Sequence, residues 1–123
     1  MMETNQMKIQ IGERVLTATL VDNASVAALK AALAAGPITI NMRDYASTEK
    51  VGPFGFDLPR NDEPINAEAG DLILYQGNAF VIYYASNSWN FTRLGKVDGV
   101  GAAELKDLLG GGDVTVTLSL PQE

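Results

Sequence analysis

The sequence predicts a mainly β fold: a closed antiparallel barrel carrying two short α-helices. Three observations lead there. Apolar and polar residues alternate with a period of two along most of the chain. The connections between these segments are too short for parallel crossovers. Several segments carry apolar residues on both faces, which suits a closed wall with helical lids better than a flat sandwich. At 123 residues the chain is expected to be one domain over 7–120, with residues 1–6 as a disordered, polar N-terminus.

Residues 7–11 alternate as a half-buried strand, and Gly12-Glu13 offers the Gly-first turn of a type II′ hairpin. The return strand, 14–21, turns Leu16, Ala18 and Leu20 to one face. Asn23 or Ser25 can cap a helix of about three turns in which Val26, Leu29 and Leu33 recur at helical spacing. Gly36 fits a left-handed stop, and Pro37 ends the helix. Strand 37–43 follows, with Ile38, Ile40 and Met42 on one side and Thr39, Asn41 and Arg43 on the other. Residues 44–69 read as a long irregular segment, functional or lid-like unless it hides short strands, for which 51–58 is the candidate. Residues 71–75 and 79–85 form a hairpin about Gly77-Asn78. A polar loop, 86–90, holds Trp89 and leads into strand 91–97. Helix 100–109 is stopped by Gly110-Gly111-Gly112, and strand 113–120 turns Val114, Val116, Leu118 and Leu120 inward.

Composition excludes several chemistries. The net charge is −6 with nine scattered basic residues, which argues against a nucleic-acid partner. Without Cys or His there is no thiolate nucleophile, no imidazole base, and none of the usual zinc or iron sites. The triple glycine follows a helix and precedes a strand, the reverse of a phosphate loop, and Asp57, Asp62 and Glu63 lack calcium-loop spacing. The expectation is therefore no cofactor and no metal. The opening residues have no signal-peptide pattern and no apolar run suits a membrane helix, so a cytoplasmic protein without a membrane partner is expected.

Residues 91–100, FTRLGKVDGV, resemble the late strand and turn of cyclophilins, where Phe-Gly-Lys-Val precedes a Gly, a short helix and a final strand. Asn78-Ala79-Phe80-Val81-Ile82 resembles the cyclophilin strand Ser-Gln-Phe-Phe-Ile, and the helix and strand over 24–42 sit where cyclophilins place theirs. More closely, residues 7–120 resemble a family of small, uncharacterised bacterial proteins with a cyclophilin-like fold. Asn41-Met42, Tyr45, Glu49-Lys50, Gly52, Leu58-Pro59, Gly70-Asp71, Tyr75-Gln76-Gly77-Asn78, Tyr83-Tyr84, Ser88-Trp89 and Leu94-Gly95 carry that likeness. The resemblance implies a closed cyclophilin-like antiparallel β-barrel. Prolyl isomerisation in cyclophilins uses an Arg in a Phe-His-Arg segment, and no such segment stands between Ala46 and Leu58; Arg60 is the nearest Arg.

The candidate ligand-binding residues are Asn41, Arg43, Tyr45, Gln76, Tyr84, Trp89 and Arg93. Trp89 is an aromatic platform at a cleft mouth, or else a plug for one barrel end. Tyr83 and Tyr84 face opposite ways on a strand, so at most one lines a given pocket. Arg43 can bind a carboxylate bidentately, or pair internally with Asp44, Glu49 or Asp71; Arg93 shares that ambiguity. Gln76-Gly77-Asn78 echoes the cyclophilin Gln-Gly-Gly, although hairpin geometry also explains it. Glu49-Lys50 could serve acid–base chemistry or form a solvated salt bridge. Together these residues suggest a non-catalytic binding module. It would take a small molecule or short extended peptide between the 44–69 segment, the Trp89 loop and adjacent strand faces. The alternative is an enzyme, either a weak peptidyl-prolyl cis-trans isomerase or one using Arg43, Tyr45 or Glu49. An exposed sheet edge would also permit a homodimer.

Overall fold

The computed structural model describes residues 5–45, 49–110 and 112–121. The elements run β1 (Gln6–Ile11), β2 (Arg14–Leu20), α1 (Ala24–Ala35), β3 (Ile38–Tyr45), β4 (Glu49–Pro53), β5 (Glu63–Ala67), β6 (Asp71–Tyr75), β7 (Ala79–Tyr83), β8 (Asn87–Val97), α2 (Ala102–Leu109) and β9 (Val114–Ser119). All pairings are antiparallel, in the order β2-β1-β9-β3-β4-β7-β6-β8, and β8 returns to β2 to close the barrel. β5 lies outside this ring, paired to the first half of β8.

The β1–β2 hairpin turns at Gly12 with φ 60, as the Gly-first turn requires. Asn23 caps α1, its Oδ1 accepting from the Val26 N–H at 2.8 Å while its Nδ2 donates to the Arg93 carbonyl at 2.8 Å, tying the helix to β8. Val26, Leu29 and Leu33 of α1 and Leu105 and Leu109 of α2 join the barrel interior, with Ile9, Ile40, Leu72, Phe80, Leu94 and Leu118 among its wall residues. Gly36 ends α1 at φ 155 and ψ 165, an extended conformation open only to glycine, instead of the left-handed helical one expected.

Four expectations need correction. Residues 44–69 hold two strands, β4 and β5, and the connection between them is anchored by buried Phe54 and Leu58. It is further pinned where Asn61 bonds Ser25 Oγ and Thr92 Oγ1, at 2.9 and 2.8 Å. The β6–β7 turn centres on Gln76 and Gly77, at φ 54 and 81, one residue earlier than expected; Asn78 N–H bonds the Tyr75 carbonyl at 3.3 Å. The polar stretch around Trp89 is part of β8: over 87–90 the strand runs in a two-stranded ribbon outside the barrel and is exposed on both faces, so polarity there does not mean loop. Finally, Gln6 opens β1, while residues 1–4 of the expected N-terminal tail lie outside the described residues, as does Gly111 of the triple glycine.

Along β8, a register shift opposite Leu72 and Ile73 leaves Leu94 as the extra residue of a bulge. That bend lets one strand leave the barrel wall and run out beside β5. Gly95 sits at the β2–β8 seam, where a Cβ would fall 2.3 Å from the Thr19 carbonyl oxygen, so the barrel closes only because the side chain is missing.

Candidate ligand-binding cleft

The outer face of the barrel carries its own apolar cluster. Ile73 of β6, Val81 and Tyr83 of β7, Phe91 of β8, and Ile65 and Ala67 of β5 are buried together, with Val51 and Tyr75 packed against them. Period two explains the arrangement. The same strands send Leu72, Leu74, Phe80 and Ile82 to the barrel interior. The β5–β8 ribbon covers one side of the outer cluster and stops short of β3. The gap is a cleft of about 410 Å³ lined by Tyr45, Glu49, Val51, Tyr75, Tyr83, Asn87, Trp89 and Phe91.

Phe91 forms the inner wall, its ring centroid 6.2 Å from that of Tyr75 in an edge-on arrangement and 5.7 Å from that of Tyr83. Tyr45 and Trp89 stand at the mouth, 64% and 63% exposed. Between wall and mouth lies a polar chain: Asn87 Nδ2 donates to the Tyr83 hydroxyl at 3.1 Å, and that hydroxyl is hydrogen-bonded to Glu49. Burial pushes the Glu49 carboxyl above its ordinary range; the Tyr83 bond opposes the shift, and the nearby Asp44 charge adds to it. Burial likewise raises the Tyr83 phenol, with the Glu49 carboxylate contributing.

Trp89 thus stands at the cleft mouth and plugs nothing. The barrel end is filled instead by Lys50, which is fully buried. Its Nζ lies 3.3 Å from Asp44 Oδ1, donates to the Gly112 carbonyl and sits 5.9 Å from the centre of the Tyr84 ring. Tyr84 faces this interior and donates its hydroxyl to Asp44, on the side of the wall opposite the cleft. Glu49 and Lys50 therefore do not pair with each other: consecutive strand residues point to opposite faces.

Of the other candidates, Asn41 and Arg43 line a separate open hollow of about 690 Å³ with Pro53 and Asp113, which meets the aromatic cleft at Val51. Asn41 Oδ1 accepts from Thr115 Oγ1 at 3.0 Å. Arg43 has no ion-pair partner among the described residues, since Asp44 is taken by Lys50 and Asp71 by Arg93, the latter at 3.0 Å. Arg93 therefore buttresses the turn before β6 and does not line the cleft. Gln76 lies beyond Tyr75 and Trp89, in a hollow of about 440 Å³ shared with Arg60, Asp62 and Glu63. The structure brings Tyr45 and Trp89 together and adds Glu49, Tyr75, Tyr83, Asn87 and Phe91. Only the alternation of Val51 with Glu49, and of Tyr83 with Val81, could have announced these from sequence.

The family model that describes the cyclophilin-like family matches residues 9–119. The chain belongs to the cyclophilin-like family. No curated protein and no solved structure matches it. The match runs from within β1 to the end of β9 and includes every residue that lines the cleft. Among the described residues, no helix of this cyclophilin-like protein is long and apolar enough to cross a membrane. No group of acidic side chains among them could hold a metal ion.

Proposed function

We propose that this protein is a non-catalytic binding module that takes a small molecule or a short extended peptide in the aromatic cleft. One observation carries the reading. Tyr45, Tyr75, Tyr83, Trp89 and Phe91 surround a concave space of a size suited to a small ligand, with the amide of Asn87 and the carboxylate of Glu49 as orienting groups. An apolar cluster with polar groups converging on one edge gives affinity through area and specificity through few bonds. Continuity at Val51 with the Asn41–Arg43 hollow leaves room for an extended chain to run across both.

The isomerase alternative has less support. A twisted amide is stabilised by a donor aimed at it, and among the described residues no Arg or Lys lines the aromatic cleft, Arg43 standing in the adjoining hollow. A thermal-shift screen of small molecules and proline-containing peptides tests the binding reading. Ligands should raise the melting temperature of the native protein and lose that effect in Trp89→Ala. A proline-peptide isomerisation assay that exceeds the uncatalysed background would favour the enzyme instead.

A further inference from the structure

Resting on that reading of the cleft, we infer that the ligand it selects carries an alkylated ammonium group, held by the ring faces and by Glu49. The chemistry of the lining is one-sided. Among the described residues that form it, Glu49 is the only Asp, Glu, Lys or Arg, and the remainder of its wall is aromatic apart from Val51 and Asn87. Of the nearby cations, Lys50 is committed to Asp44 on the inner face, Arg93 to Asp71 and Arg60 to Asp62, while Arg43, opposite Val51, lines the adjoining hollow and not the cleft. Glu49 has no ion-pair partner among the described residues, and only the Tyr83 hydroxyl answers it. Its raised carboxyl has the direction expected of an acid buried without a cation of its own.

Three ligand classes can be weighed against this lining. An anion in the cleft would meet Glu49 and the negative faces of the rings with no Arg or Lys in the lining; Arg43 stands only in the adjoining hollow. A hard metal ion would need several oxygen ligands, and the described residues offer no such group. An alkylated ammonium is weakly hydrated, is attracted by ring faces, and gains a carboxylate, which is the combination aromatic cages use. On the far side of Tyr75 and Trp89 a further carboxylate, Glu63, lines the next hollow, where Asp62 is paired with Arg60.

Trp89 is the single Trp of the chain, so its fluorescence reports occupancy directly. The test titrates the full chain with choline and with 3,3-dimethylbutan-1-ol, which has carbon in place of the nitrogen. Choline is expected to shift the Trp89 emission saturably and to bind about tenfold tighter than the alcohol. Glu49→Gln, whose amide oxygen can still accept from Tyr83, should remove most of that preference. Equal affinities in the native protein would overturn cation selection and leave the cleft as a binding site. If neither probe changes the emission or the melting temperature, and the small-molecule screen is also silent, the binding reading itself falls.

Discussion

The hydroxyls of Tyr83 and Tyr84, adjacent in sequence, end on opposite sides of the barrel wall, each at a carboxylate. Tyr83 meets Glu49 in the cleft, and Tyr84 meets Asp44 inside the barrel end. One dipeptide therefore reaches both the ligand-facing surface and the carboxylate of the internal Lys50–Asp44 pair.

Alkaline stability should report the inner half of this arrangement. Burial, and donation to Asp44, push the Tyr84 phenol up from 10.0 to about 12. Its contribution is fully present below pH 10.0 and is lost as pH rises towards about 12. Tyr84→Phe is expected to flatten the fall of stability over that window, measured as urea midpoints at successive pH values. An unchanged slope would count against the buried phenol.

Glu49→Gln should act in the opposite sense. Because the folded carboxyl is raised, its stabilising contribution belongs to the protonated form, present below its ordinary 4.5 and lost as pH rises through the folded value. Above the folded value the carboxylate costs stability, so the amide variant should melt higher at alkaline than at acid pH relative to the native protein. Calorimetric melting at the two pH values checks both parts.

Trp89 and Phe91 occupy the same strand face and should separate function from folding. Trp89→Ala removes an exposed ring and should change stability by about 0.5 kcal/mol or less while abolishing ligand shifts. Phe91→Ala empties the inner wall, where the ring is 3% exposed, and should cost about 3–5 kcal/mol. Chemical denaturation of the two variants gives the comparison.

The internal ion pair predicts non-additivity. Lys50→Met leaves Asp44 at the barrel end without its cation and should destabilise by about 2–4 kcal/mol. Adding Asp44→Asn should recover at least about 1 kcal/mol of that loss. A double-mutant cycle that closes additively would show that the pair is not coupled.

The barrel seam gives the sharpest steric prediction. Gly95→Ala places a methyl against the Thr19 carbonyl and 3.0 Å from Leu20 Cα, and should cost about 3 kcal/mol or more. Gly112→Ala meets nothing within 4 Å and should cost about 0.5 kcal/mol or less. Urea titrations of both variants decide it.

Periodicity and turn chemistry in the chain determined the strands from β1 to β3 and from β6 to β9, both helices, the antiparallel sense and the closed barrel. These are local signals: an Asn cap, a Gly-first turn, alternation that must bury one face. Alternation also placed Tyr83 and Tyr84 on opposite faces, but it could not say which face was outside. β4 and β5 stayed hidden because Gly52-Pro53 and Glu63-Pro64 look like breakers locally, yet each strand tolerates them where its pairing allows. Trp89 read as a loop residue because the 87–90 end of its two-stranded ribbon is exposed on both faces. Only the tertiary structure decided that the Leu94 bulge sends β8 out beside β5, bringing residues from β3, β4, β6, β7 and β8 around one cleft. Glu49 and Trp89 are forty positions apart in the chain, and only the long-range pairing of strands brings them together.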